Sequence, residues 1–65
     1  MRLTVNGRPR ETDAASVLAL VESITSARRG VAVAVNGEVV PRSTWSVTRL
    51  ADGDLVEVLT AAQGG

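Results

Sequence analysis

Asn-Gly occurs twice in this 65-residue chain, at Asn6-Gly7 and at Asn36-Gly37. Each pair is a strong local instruction. A type I′ turn needs positive φ at both central residues, and asparagine followed by glycine supplies it most readily. The twist of that turn suits two antiparallel strands, so each pair predicts a hairpin. The flanks agree. Arg2-Leu3-Thr4-Val5 alternates polar and apolar, as a half-buried strand does. Its return over residues 8–12 contains Pro9, which cannot donate to a ladder, so this strand belongs at an edge. Arg8 and Arg10 read as solvated edge charges that discourage pairing with other chains. In the second hairpin, Val31-Ala32-Val33-Ala34-Val35 is apolar on both faces and predicts an inner strand buried on two sides. Glu38-Val39-Val40 is its return, and Pro41 stops it.

Between the hairpins the apolar period changes. Val17, Leu20, Val21 and Ile24 fall at i, i+3, i+4 and i+7, one face of a helix. Asp13 or Ser16 can cap its start. Arg28-Arg29-Gly30 is expected to end it, with positive charge at the C-terminal dipole and glycine in the left-handed cap position. After Pro41 the segment Arg42-Ser43-Thr44-Trp45-Ser46 reads as irregular or one helical turn, with Trp45 plugging the core rim and its indole N–H seeking a partner. Ala51-Asp52-Gly53-Asp54 is a turn by composition. Two carboxylates around one glycine fall well short of a calcium loop, so a plain turn is favoured over a cation site. Leu55-Val56-Glu57-Val58-Leu59 is the last strand.

The absences narrow the function. There is no cysteine, no histidine and no lysine. A Cys/His zinc site, a cysteine nucleophile and a Schiff-base lysine are therefore excluded. Seven arginines balance seven acids, and one aromatic residue offers no stacking platform for bases. A nucleic-acid or membrane-surface role would need a basic patch or such a platform. No segment reads as a membrane span or signal peptide, which makes a cytoplasmic location the expectation. This is a poor inventory for a stand-alone enzyme. It fits a carrier or co-substrate with no bound cofactor and no metal.

The order is strand, strand, helix, strand, strand, strand, then Thr60-Ala61-Ala62-Gln63-Gly64-Gly65. Two hairpins joined by a helix give an α+β layer pair: a mixed sheet of about five strands with one helix across one face. If the first and last strands pair in parallel, the arrangement is the β-grasp, or ubiquitin-like, fold. A domain over residues 1–59 and a flexible tail over 60–65 are expected. A glycine pair at the end of such a tail leaves a carboxylate with no side chain beside it, able to enter a narrow active site. Period-two counting places Val56 and Val58 on one face of the last strand and Leu55, Glu57 and Leu59 on the other. The valine face is assigned to the helix, because Glu57 would be costly there. Leu55, Glu57 and Leu59 are then candidates for a partner-binding surface.

Three stretches carry a family resemblance. They are residues 35–45, Val-Asn-Gly-Glu-Val-Val-Pro-Arg-Ser-Thr-Trp; residues 50–57, Leu-Ala-Asp-Gly-Asp-Leu-Val-Glu; and Gly64-Gly65. Together, and collinearly over essentially the whole chain, they resemble ThiS, the sulfur-carrier family of thiamin biosynthesis. The resemblance implies a β-grasp fold and a carrier cycle. A ThiF-like adenylyltransferase would consume ATP to activate the Gly65 carboxylate. A sulfur donor protein would displace AMP, leaving a thiocarboxylate. Thiazole synthase, ThiG, would take that sulfur for the thiazole ring of thiamin. Ala62, Gln63 and Gly64 would thread the tail into these partners. The small subunit of molybdopterin synthase uses the same glycine pair, but the segment from Pro41 to Trp45 fits ThiS better. A ubiquitin-like modifier would instead form an isopeptide bond through Gly65, detectable as covalent conjugates. A purely structural binding module would tolerate loss of Gly65.

Overall fold

The computed structural model describes residues 1–27 and 29–61. Five strands form one sheet: β1 (Arg2–Val5), β2 (Arg8–Glu11), β3 (Val31–Val35), β4 (Glu38–Val39) and β5 (Leu55–Thr60). Their spatial order is β2-β1-β5-β3-β4. Both Asn-Gly pairs make the expected turns, with φ of 52° and 81° at Asn6 and Gly7 and of 52° and 85° at Asn36 and Gly37. β1 and β5 pair in parallel, Thr4 against Leu55 and Val5 against Val56, and the other pairings are antiparallel. The last strand is therefore the centre of the sheet. The Pro9 strand lies at the edge, as proline requires.

Helix α1 (Val17–Ile24) supplies the second layer. Its first N–H groups are all accounted for, as a helix start inside a fold requires. Ser16, not Asp13, is the cap, and its hydroxyl accepts from Ala19 N–H at 3.2 Å. Val17 and Leu18 donate to the carbonyls of Thr48 and Trp45. The helix thus starts where residues 45–48 receive it. Those residues follow a 3₁₀ turn over Arg42–Thr44, where the sequence allowed a helical turn. Trp45 is buried, and its indole N–H donates to the Val40 carbonyl at 2.9 Å.

Leu20, Val17 and Val21 of the helix pack with Leu3, Val33, Val56 and Val58 of the sheet in one core with no buried polar or charged side chain among the described residues. The 2% exposure of Val33 places β3 firmly on this core.

Several sequence expectations are corrected. The helix does not run to Arg28-Arg29-Gly30. It stops at Ile24, and Thr25 is its C-cap in extended conformation, its N–H donating to the Val21 carbonyl. Two β-branched residues weaken that last turn, and the Thr25 hydroxyl diverts the chain by accepting from Ala27 N–H at 3.0 Å. Gly30 does adopt φ of 69°, but at the entry to β3. β3 is an inner strand buried on one side only. Ala32 is exposed because α1 covers a single face of the sheet. β5 continues through Thr60, which pairs with Val31, so the division expected after residue 59 falls inside the strand. Asp52 and Asp54 serve the turn: Asp52 accepts from Arg2 N–H, and Asp54 accepts from Ala51 N–H and the Asn36 amide.

Candidate functional site

β5 carries the chain out of the sheet, and it is held from both sides at that point. On the β1 side, the backbone ladder reaches Asn6, whose N–H donates to the Val56 carbonyl at 2.9 Å. The Asn6 side chain then makes the next rung. Its Oδ1 accepts from Val58 N–H at 2.8 Å, and its Nδ2 donates to the Val58 carbonyl at 3.0 Å. A side-chain amide has the donor and acceptor of a peptide group, so one asparagine both turns the hairpin and prolongs the ladder. On the β3 side, Ala61 N–H donates to the Gly30 carbonyl at 2.6 Å. A Cβ at Gly30 would lie 2.7 Å from the Ala61 Cβ, and its φ is positive besides. Only glycine fits there without a shift. Neither grip was legible in the sequence, since both join residues more than 30 positions apart. Ala62, Gln63, Gly64 and Gly65, expected to thread the tail and accept sulfur, lie outside the described residues.

The second part of the site is the sheet face away from α1. Leu55 and Leu59 are 57% and 65% exposed there, Glu57 is exposed between them, and Val56 and Val58 point into the core. The face assignment thus follows the period-two count. Ala32 stands opposite Leu59, and Ala34 opposite both Glu57 and Val39. These alanines are short, so Leu59 and Val39 (78% exposed) rise on either side of a shallow depression of about 310 Å³ with Glu57 at its wall. Sequence reasoning missed Val39 as a member of this surface. The signal was present: a two-residue turn at Asn36-Gly37 fixes Val39 opposite Ala34.

Among the described residues no group of three or more His, Cys, Asp or Glu could hold a metal ion. No described helix is long and apolar enough to cross a membrane.

A five-stranded mixed sheet in this order, with one helix on one face and the central parallel strand leading out to the C-terminal residues, defines a small ubiquitin-like protein of β-grasp fold. The sequence model of the ThiS family matches residues 3–65. The chain belongs to the ThiS family. It superposes on the crystal structure of the thiamine biosynthesis protein ThiS from Geobacter metallireducens with a TM-score of 0.79 and 41% identity, covering 92% of this chain and 93% of that one. A solution NMR structure of a thiamine biosynthesis protein from the same organism gives 0.76 and 41%, over 91% and 81% of the two chains. The whole chain also aligns, at 36% identity over 66 residues, with part of a thiazole synthase from Paramagnetospirillum magneticum, of which it spans 20%.

Proposed function

We propose that this protein is a sulfur carrier for thiazole formation in thiamin biosynthesis, acting through the Gly65 carboxylate and catalysing no reaction itself. The observation that carries the reading is the family match through Gly65, on a fold whose last strand is fixed on both sides just before the tail. A carboxylate is a poor acyl donor, being ionised at neutral pH with a pKa of about 3.3–3.7. Its oxygen attacks the α-phosphorus of ATP, pyrophosphate leaves, and an acyl-adenylate results. A sulfide-level sulfur then attacks the acyl carbon. The C–S bond forms, the C–O bond to phosphate breaks, AMP departs, and a thiocarboxylate remains. The positive charge needed around the phosphates comes from the partner, a ThiF-like adenylyltransferase. Holding sulfur on the C-terminus explains a carrier with no cysteine. The alignment with a segment of a thiazole synthase supports an enzyme of that kind, ThiG, as the acceptor.

The test is an intact mass after incubation with a ThiF-like enzyme, ATP and inorganic sulfide. The expected product is heavier by the difference between sulfur and oxygen, and fragmentation places the change on Gly65. No adduct with a demonstrably active enzyme, or sulfur located elsewhere, would sink the reading.

The open face is proposed as the partner surface, with Leu59 at its tail end. Leu59→Ser is expected to leave the melting temperature nearly unchanged, since the side chain is already mostly in water. It should weaken partner binding by about 1–2 kcal/mol, a five- to thirtyfold loss. Titration calorimetry with the adenylyltransferase checks the second effect and a thermal melt the first. A variant that unfolds would contradict the exposed placement of Leu59.

A further inference from the structure

The two hairpin asparagines brace β5 at opposite ends. At its start, Asn36 Oδ1 accepts from Leu55 N–H at 3.0 Å, and Asn36 Nδ2 donates to Asp54 Oδ1 at 3.0 Å. Near its end, Asn6 Oδ1 accepts from Val58 N–H at 2.8 Å, and Asn6 Nδ2 donates to the Val58 carbonyl at 3.0 Å. The turns themselves ask only for positive φ, which glycine supplies as well as asparagine. The side-chain bonds are therefore additional to the turns. Those of Asn36 bear on the strand where it enters the sheet, and those of Asn6 on the strand as it leaves.

Val58 depends on that amide. Peptide groups along a strand point alternately to its two neighbours. The Leu55 carbonyl accepts from Asn36 N–H and Ala61 N–H donates to the Gly30 carbonyl, so the odd-numbered residues of β5 turn to the β3 side. The even-numbered ones turn to β1, where the Val56 carbonyl accepts from Asn6 N–H. Val58 comes next in that series, but β1 ends at Val5 and the chain turns away through Asn6-Gly7. The Asn6 side chain fills the missing rung. Among the described residues it is the last hold on that side of β5. Past it, Leu59 and Thr60 pair with Ala32 and Val31, and Ala61 bonds to Gly30, all on the β3 side.

We propose that Asn6 is a positioning residue for the carboxylate: its amide keeps β5 paired as far as Ala61, so the chain enters the adenylating enzyme from a fixed point in a fixed direction. This rests on the carrier reading above. Without the amide, the peptide groups of Val58 turn to water and β5 opens from its end. The stretch that must be ordered in the cleft then grows from residues 62–65 to residues 59–65, and its extended reach from about 13–14 Å to about 23–25 Å. Each added residue has to be fixed again before the carboxylate stands against the α-phosphorus. The wild-type strand is already ordered when it arrives. The body still docks, so the loss falls on the step after docking, on kcat and not on KM.

The test compares Asn6→Gly with Asn36→Gly in ATP–pyrophosphate exchange by the adenylyltransferase of the same organism, with kcat and KM for the carrier measured separately. Both variants keep a turn of positive φ and lose the side-chain bonds to β5, so both should melt somewhat lower. Asn6→Gly is expected to lower kcat by about three- to tenfold, the factor that one net hydrogen bond corresponds to, with KM within about twofold. Asn36→Gly should leave kcat within about twofold of wild type, since its bonds lie at the far end of the strand. Asn6→Asp also keeps the turn but has no donor for the Val58 carbonyl, and its kcat should fall too. Amide hydrogen exchange by NMR checks the cause: the Val58 amide should lose protection in Asn6→Gly and keep it in Asn36→Gly. Unchanged kcat in folded Asn6→Gly and Asn6→Asp overturns the positioning role. So does an equal fall in Asn36→Gly, which would make the effect one of stability, or a rise in KM at unchanged kcat, which would place Asn6 in docking. A Val58 amide equally protected without Asn6 overturns it as well. No exchange by the wild type with an enzyme active on its own carrier overturns the carrier reading and the positioning role together.

Discussion

A tag fused after Gly65 is expected to abolish ATP–pyrophosphate exchange while leaving the domain folded. The fusion converts the carboxylate of Gly65 into a peptide amide. An amide has no anionic oxygen to attack the α-phosphorus, so the loss should be complete rather than partial. The core ends at Val58, and the last hydrogen bond described is that of Ala61, so the melting temperature should not move. The same tag placed before Met1 should leave exchange largely intact, because β1 starts at the end of the sheet remote from the tail exit. A short linker before Met1 is needed, since the Met1 amino group donates to the Thr12 carbonyl at 3.0 Å. Gly64→Val separates chemistry from access. The carboxylate survives, but a β-branched side chain restricts the backbone and blocks close approach to a cleft wall. Exchange should fall to an intermediate rate at unchanged melting temperature. Full exchange by the C-terminally tagged protein, with the tag verified intact by mass, would leave the carboxylate mechanism without support.

What the sequence disclosed and what it withheld divide along sequence separation. The hairpins were legible because Asn-Gly dictates its own turn and the turn then dictates register. The parallel contact of β1 with β5 entered only as the condition for a β-grasp, because no local pattern dictates which distant strands meet. Ser16 and Asp13 could not be ranked, because the choice depends on Thr48 and Trp45 arriving to receive Val17 and Leu18. The helix end was misjudged for a similar reason. Arg28-Arg29-Gly30 is a fair local stop signal, yet Ile24 and Thr25 end the helix earlier, and the glycine serves Ala61 instead. At the site, period two revealed Leu55 and Leu59. The Asn6 amide on Val58 and the Gly30 carbonyl on Ala61 are contacts between distant segments, invisible to any pattern read along the chain.

Val33→Asp is expected to unfold the protein at neutral pH. Val33 is 2% exposed, pairs with Val58 across the sheet and faces the helix layer. A chain of this size holds a net stability of roughly 3–10 kcal/mol. Removing a fully buried valine side chain costs about 1.5–3 kcal/mol. Burying a carboxyl without a partner adds at least about 2 kcal/mol, and more if it stays ionised. Among the described residues no buried side chain is polar or charged, so none of them waits there to pair with it. The sum reaches the whole stability of the domain. Its pH dependence has a definite sign. Burial raises the pKa of the introduced carboxyl in the folded state above the unfolded value of about 3.9, so the folded state holds the proton more tightly. The charge penalty is absent below that value, grows as pH rises through it, and is complete above the raised folded pKa. The variant should therefore be most nearly folded in mild acid and least folded at pH 8. Val33→Ala supplies the reference: it removes about 2 kcal/mol of packing with no charge, and its penalty should not change with pH. Denaturant titrations followed by circular dichroism at several pH values separate the two effects. A Val33→Asp protein as stable at pH 8 as the alanine variant would place residue 33 in water and invert the faces of the sheet. Leu59 would then lie in the core, and the open face would no longer be available to a partner.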